Sequence, residues 1–254
     1  MLASAAMSAP HTTQEDATST APAGGDPAAI AILGGTGDQG LGLALRFAAA
    51  GRPVRIGSRK EARAEAAAQQ VREAVPDADV AGYGNADATR RAHLVILSVP
   101  FEHTARTVKS LKEVLQAGQV VVSMAVPLAT AIGDAAVRTL GLWQGSCAEL
   151  VKALVPKQVE VVSAFQNVPA QRLQQLPDPV ACDVIVSGPR APRQEVMRLC
   201  ELIPGIRGVD GGPLANARSV EAWTALLIGL NIRYKVPEGM GFRLTGLPGR
   251  EEGA

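Results

Sequence analysis

Apolar runs alternate with stretches of helical periodicity along most of the chain. Short continuous apolar runs predict buried strands at residues 29–33, 54–56, 94–99, 120–124 and 159–165. Apolar spacing or alanine-rich stretches between them predict helices at residues 41–50, 60–75 and 104–116. Ser146 and Glu149 are spaced as a capping box, which predicts a further helix towards Val155. Continuous apolar strands that alternate with helices are typical of a parallel sheet covered on both faces.

The alternation continues more weakly beyond residue 170. It predicts strands at 180–186 and 207–210, a helix at 192–202 and a long, largely apolar helix at 214–234. Residues 1–28 are rich in Ala, Ser, Thr and Pro and lack an apolar period, so we expect a disordered tail there. We therefore predict a main α/β domain over residues 29–172 and a smaller C-terminal α/β extension over residues 173–254, ending in the long apolar helix.

Composition excludes several classes of protein. A formal net charge of +1 gives no overall field that attracts nucleic acid or anionic lipid, and 3% aromatic content leaves little for base stacking. No apolar run reaches the ~20 residues that a membrane span needs. Cys147, Cys182 and Cys200 lie far apart without a CxxC spacing. We therefore expect a cytoplasmic protein with no metal site, no disulfide framework, and no nucleic-acid or membrane partner.

A glycine-rich segment follows the first predicted strand. Gly35, Gly37 and Gly40 form a GxGxxG pattern between a strand and a helix, with a second strand about 20 residues further on. Gly35 permits a tight turn, Gly37 lets the backbone approach a pyrophosphate, and Gly40 lets helix and strand pack closely. Asp38 must face solvent, because a carboxylate beside phosphates is unfavourable. The pattern predicts a dinucleotide-binding fold of the Rossmann type with a doubly wound, mostly parallel sheet.

The second strand indicates which dinucleotide is bound. No acidic residue occurs from Gln39 through Lys60, although an NAD site usually has one at this strand end. The strand ends in Ser58 and Arg59 instead, and Arg63 lies one helical turn further on. A hydroxyl and guanidinium groups suit the 2′-phosphate of NADP.

Several motifs together resemble the NADPH-dependent reductases of coenzyme F-420, a deazaflavin. They are residues 33–40 with 57–59, 98–103, 162–165, 210–214, 234–235, 241–243 and 245–247. The resemblance covers roughly residues 29–248. It implies an oxidoreductase that transfers hydride reversibly between NADP(H) and coenzyme F-420 (8-hydroxy-5-deazaflavin).

The resemblance also implies site residues. The NADP contacts are expected at Gly35, Thr36, Gly37, Asp38, Gln39, Gly40, Ser58, Arg59, Arg63, Val99, Pro100, Phe101 and His103, and at the nicotinamide end at Val126, Pro127 and Ala170. The deazaflavin is expected at Gln166, Asn167, Val168 and Pro169, where Val168 backs the rings. Histidine is common in the family at the position of Gln166, and glutamine can hydrogen-bond there but cannot become cationic.

Hydride transfer between two rings needs orientation and exclusion of water rather than a charged acid or base, so we predict no catalytic triad. His103 is expected either to contact the NADP or to cap a helix that starts near Thr104. Two other functions stay open: NADPH-dependent reduction of another acceptor (a flavin, a metal chelate or an imine), and a non-catalytic NADP-binding sensor. The long apolar helix needs cover on more than one side, and either a second copy of the chain or its own domain could provide it.

Overall fold

The computed structural model describes residues 26–248. Its main sheet has six parallel strands in the order β3-β2-β1-β4-β5-β6. The strands are β1 (Asp26–Leu33), β2 (Val54–Ser58), β3 (Val80–Gly84), β4 (Ala92–Leu97), β5 (Val120–Ser123) and β6 (Glu160–Ser163). The predicted parallel, doubly wound sheet is therefore confirmed. Because β1 begins at Asp26, the predicted tail is three residues too long, and the rest of it lies outside the described residues.

Helices cover both faces of this sheet. They are α1 (Asp38–Ala49), α2 (Glu61–Ala74), α3 (Asn85–Arg90), α4 (Phe101–Leu111), α5 (Cys147–Leu154), α6 (Ala170–Gln174), α7 (Arg190–Cys200) and α8 (Ala217–Tyr234). Side chains alternate along β1, so Ile30 and Ile32 join one apolar cluster and Ala31 and Leu33 join another. This burial on both faces explains why the strands appear in the sequence as continuous apolar runs.

A second sheet extends the molecule beyond β6. Its parallel strands are β7 (Cys182–Val186) and β8 (Ile206–Asp210), joined through α7. An antiparallel bridge between Ser163 and Ser187 connects β6 to the end of β7. Val184 and Val186 share an apolar cluster with Ile30 and Ile32 of the main sheet. The proposed division of the chain at residue 172 falls within α6 and stays a prediction.

The sequence analysis missed β3, α3 and α6. The five residues of β3 include two glycines, and a Cβ at Gly82 would overlap the backbone of Glu65 in α2. The strand therefore lacks an apolar run because a helix lies directly against it. No helix among the described residues is long and apolar enough to cross a membrane.

Candidate functional site

A cavity of about 500 Å³ opens at one edge of the main sheet. Its lining comes from the segments that follow β1, β4, β5 and β6, and from α8. The carboxyl ends of parallel strands meet at this edge, and the strand order reverses between β1 and β4. Dinucleotides bind at such a reversal point in open α/β sheets.

The glycine loop forms one end of the cavity. Gly34 has φ +84°, and a Cβ there would overlap the carbonyl of Ser98, which directly follows the neighbouring strand β4. A Cβ at Gly40 would lie 2.6 Å from Gly34 O, so α1 packs directly on the turn. Gly37 precedes α1 in an extended conformation, and no side chain caps that helix. The first amides of α1 are therefore placed to bind an anion, assisted by the helix dipole.

Asp38 is exposed, which meets the requirement that its carboxylate face solvent. Gln174 Nε2 of α6 donates to the Asp38 carbonyl at 2.9 Å. Gln39 reaches the other side of the cavity, where its Nε2 donates to Phe165 O (2.9 Å) and Val168 O (3.2 Å). The loop that would hold a pyrophosphate is thus fastened to the segment after β6.

Basic side chains follow β2, beside the glycine loop on the same sheet edge. Ser58 is nearly buried, and its Oγ accepts a hydrogen bond from Lys60 N at 3.3 Å. Arg59 and Arg63 are exposed, and their side chains form no hydrogen bond or ion pair within residues 26–248. The structure thus leaves both guanidinium groups open to an anion, although neither lines the cavity itself.

The segment after β6 carries two buried amides into the cavity wall. Gln166 is 5% exposed, and its Nε2 donates to Ser163 Oγ (2.5 Å) and Ser123 O (3.2 Å). Asn167 Nδ2 donates to Asp183 O at 2.7 Å. Gln166 Oε1 and Asn167 Oδ1 are buried without a hydrogen-bond partner among the described residues. Such unpaired oxygens are costly. Protein atoms cover both of them, so a ligand N–H can reach either oxygen only after its amide rotates towards the cavity.

The backbone before these amides is unusual. Phe165 is buried and has φ +69°, a left-handed conformation that a bulky residue rarely adopts. Its ring packs edge-on against Phe47 of α1, with 6.2 Å between centroids. This turn directs the chain after β6 across the end of the sheet, where Gln166 and Asn167 reach the cavity.

The cavity brings together only part of the predicted site. Its wall includes Gly37, Asp38, Gln39, Val99, Pro100, Phe101, Val126, Gln166, Asn167, Val168 and Pro169. Outside its lining lie Gly35, Thr36, Gly40, Ser58, Arg59, Arg63, His103, Pro127 and Ala170. Helix α4 begins at Phe101 rather than near Thr104, and no side chain caps it, so the expectation that His103 caps this helix is wrong.

Sequence reasoning missed the wall formed by α8. Thr224, Leu227, Ile228 and Asn231 line the cavity, and Met240 joins them from the segment beyond the helix. Their spacing is that of a single helix face, with a polar residue at each end of an apolar pair. That spacing is the signal that could have identified them. The same lining includes the acidic residues Asp38 and Glu102 and no basic residue.

Within residues 26–248 no three His, Cys, Asp or Glu residues are grouped so that they could hold a metal ion. Fold and site together define a dinucleotide-binding α/β protein whose glycine loop opens into one cavity shared with the segments after β4, β5 and β6. Residues 29–127 match the family described as coenzyme F-420-dependent NADP oxidoreductases.

Relatives match over nearly their whole length. The chain is 49% identical over 223 residues to the F-420-dependent NADP reductase of Methanocaldococcus jannaschii, covering 86% of this chain and 98% of the relative. It is 44% identical over 223 residues to the enzyme of that name from Methanothermobacter marburgensis, covering 86% and 99%. The chain therefore belongs to the F-420-dependent NADP reductase family.

A solved structure supports the fold. A protein from Arthrobacter sp. FB24, provisionally described as an F-420-dependent NADP reductase, superimposes with a TM-score of 0.71 at 24% identity. The match covers 85% of this chain and 98% of that one. It establishes a shared architecture over almost the entire Arthrobacter protein.

Proposed function

We propose that this protein catalyses reversible hydride transfer between NADPH and coenzyme F-420, as the names of its relatives indicate. The observation that carries the proposal is the single cavity that joins the glycine loop to the buried amides of Gln166 and Asn167. A reductase of this kind must hold two flat rings against each other, and one continuous cavity provides the space.

Each part of the site has a distinct task. The amides at the start of α1 bind the pyrophosphate, and Ser58, Arg59 and Arg63 bind the 2′-phosphate. When bound, the reduced nicotinamide supplies a hydride that the deazaflavin accepts. Gln166 and Asn167 line the cavity beside the rings, and rotation of either amide lets its unpaired oxygen accept a hydrogen bond from a ring substituent. Val168, Leu227 and Ile228 provide apolar surface that excludes water.

We also propose that the protein works in the cytoplasm as a homodimer without nucleic-acid partners. Cys147, Cys182 and Cys200 are buried free thiols, which suits a reducing compartment. Helix α8 exposes Leu226 and Ile232, apolar side chains that a second copy would cover. Light scattering of wild type and Leu226→Glu tests the dimer, which the substitution should dissociate.

An optical experiment tests the function directly. NADPH and oxidised deazaflavin are mixed with the protein while the visible deazaflavin band is followed. Prompt bleaching is the expected result. Bleaching of a flavin but not of the deazaflavin would instead indicate another acceptor, for which Gln166 in place of histidine gives a reason. Binding of NADPH without any turnover would indicate a sensor.

A further inference from the structure

The chain beyond α8 folds back across the molecule as a strap, here defined as residues 237–247. Lys235 ends α8 in a left-handed conformation, and the following residues turn towards β7. Asn231 Oδ1 of α8 accepts a hydrogen bond from Met240 N at 2.8 Å. This contact fixes Met240 beside Asn231, and both line the cavity. The proposed function assigns no role to the strap.

A buried carboxylate fastens the strap to β7. Asp183 is fully buried, and both of its oxygens bind Arg207 at 2.6 Å. The same oxygens accept hydrogen bonds from Arg243 Nη1 (2.8 Å) and Leu244 N (2.7 Å) of the strap. Burial disfavours the ionised form of this carboxyl and so raises its pKa. The hydrogen bonds from Arg207, Leu244 and Arg243 outweigh that effect and lower the pKa of Asp183 to about 2. The strap is therefore held by a charge that stays ionised at neutral pH.

Further contacts place the strap closely against its neighbours. Asp183 N donates to Phe242 O at 2.9 Å, and a Cβ at Gly241 would lie 2.7 Å from Cys182 Sγ. Phe242 packs edge-on against Trp223 of α8, with 5.0 Å between ring centroids. The backbone of the strap is thus fixed against both β7 and α8.

The strap also contacts the segment assigned to the acceptor. A Cβ at Gly239 would lie 2.9 Å from Pro169 Cβ. The Asp183 carbonyl accepts the hydrogen bond from Asn167. Asp183 therefore holds a cavity amide with its backbone and the strap with its side chain. A shift of Asp183 would therefore displace both Asn167 and the strap at the acceptor end of the cavity.

We propose that the strap forms a fixed outer wall at the acceptor end of the cavity, and that Asp183 and Arg243 are positioning residues that act on the acceptor through Met240. The inference rests on the proposed function for the identity of the acceptor. The arrangement of the strap itself does not depend on that identity, so the two can be tested separately.

Kinetics with a double-mutant cycle test the action through Met240. Arg243→Gln and Met240→Ala should each raise the KM for the deazaflavin about tenfold, with a smaller change in kcat and with the Kd for NADPH unchanged. The double variant should show no more than the larger single effect, because both changes remove the same wall. Arg72→Gln is the matched control, since Arg72 also forms an ion pair and is 32% exposed against 38% for Arg243. It should leave both constants unchanged.

Tryptophan fluorescence without any ligand tests the fastening. In a Trp143→Phe background Trp223 is the remaining tryptophan, and it is 39% exposed while Phe242 covers it. Arg243→Gln should shift its emission to the red and raise its quenching by acrylamide, whereas Arg72→Gln should not. Unchanged quenching overturns the fastening role of Arg243.

The outcomes separate the two proposals. If the wild type reduces the deazaflavin but Met240→Ala leaves its KM unchanged, or if the double variant shows additive effects, the strap proposal is overturned and the proposed function stands. If the wild type does not turn over the deazaflavin, the proposed function fails, and the fluorescence result still decides whether Arg243 fastens the strap.

Discussion

Gly37 and Gly40 lie three residues apart in the glycine loop but face different surroundings. A Cβ at Gly40 would lie 2.6 Å from Gly34 O and 2.7 Å from Gly35 Cα, which backbone atoms cannot accommodate. A Cβ at Gly37 would lie 3.6 Å from its nearest neighbour, an ordinary contact. Of these two glycines, only Gly40 is therefore restricted by the protein's own packing.

We expect Gly40→Ala to lower the free energy of unfolding by about 2 kcal/mol through overpacking. Gly37→Ala should leave that free energy unchanged and raise the Kd for NADPH about tenfold, because its methyl group occupies the approach of the pyrophosphate. Urea unfolding and fluorescence titration measure the two effects. Equal destabilisation by both substitutions would contradict the assignment.

Arg59 carries the expected preference for NADPH. Arg59→Ala should weaken NADPH by about 2 kcal/mol, the value of a charged hydrogen bond, and leave NADH unchanged. Arg198→Ala is the matched control, because Arg198 is also exposed and its side chain forms no hydrogen bond or ion pair in the described part of the chain. Titration of each variant with both nucleotides gives the result, and an equal loss for NADPH and NADH would rule out a 2′-phosphate contact.

At the scale of elements, a buried arginine joins α1 to α6. Arg46 is 2% exposed, and its guanidinium donates four hydrogen bonds of 2.7–2.8 Å to backbone carbonyls. These carbonyls belong to Leu173, Asp178, Arg172 and Gln175. No ordinary apolar pattern predicts this contact, because an arginine within a helix appears in the sequence as a surface residue.

Arg46→Met should lower the free energy of unfolding by about 3 kcal/mol, because it leaves several carbonyls without a donor. Arg46→Lys should cost less, since an ammonium group keeps the charge but cannot reach all four carbonyls. Urea unfolding of both variants checks this order. A cost below 1 kcal/mol for Arg46→Met would show that water replaces the guanidinium without loss.

Glu221 of α8 joins that helix to the start of α5. Its carboxylate accepts hydrogen bonds from Cys147 N (2.8 Å) and Ala148 N (3.1 Å). Burial raises the pKa of Glu221 to about 7, although these two hydrogen bonds oppose the shift and nearby Glu149 adds to it. Between about pH 4.5 and 7, the Glu221 carboxyl is therefore protonated in the native state and ionised in the unfolded state.

As the pH rises through this window, the free energy of unfolding of the wild type should fall relative to that of Glu221→Gln. The total loss should be on the order of 3 kcal/mol. The loss should be complete above pH 7, where the native carboxyl is also ionised. Urea unfolding at several pH values measures it, with the exposed Glu113→Gln as control. A difference between wild type and Glu221→Gln that does not vary with pH would contradict the raised pKa.

The sequence predicted elements best where burial is continuous. Strands β1, β4 and β5 have apolar runs because both faces of the sheet are covered. Ser146 caps α5 as predicted, with its Oγ accepting from Glu149 N at 3.0 Å, although Glu149 accepts from Ser146 Oγ rather than from Ser146 N. Strand β3 was missed because two glycines interrupt its apolar pattern, and contact with α2 leaves no room for a side chain at Gly82. The local apolar pattern therefore identified strands whose residues are set by burial in the core, and it missed a strand whose residues are set by contact with a neighbouring helix.

At the scale of the whole molecule, the positions of the glycine loop and of the basic strand end were predictable, and the part of the opposite wall that comes from the strap was not. The glycine loop and the basic strand end are local signals, readable within about 30 residues. The position of the strap depends on Asp183 meeting Arg243 and Leu244, which are far from it in sequence. Resemblance to a family supplied the acceptor, since no local pattern identifies a deazaflavin.

Isotope transfer tests the central claim most directly. NADPH carrying deuterium on either face of the nicotinamide C4 is incubated with the protein and oxidised deazaflavin in ordinary water. The account predicts that the label from one face is recovered on the reduced deazaflavin, because both rings are held in contact within one water-excluding cavity. Loss of the label to solvent, or equal transfer from both faces, would contradict it.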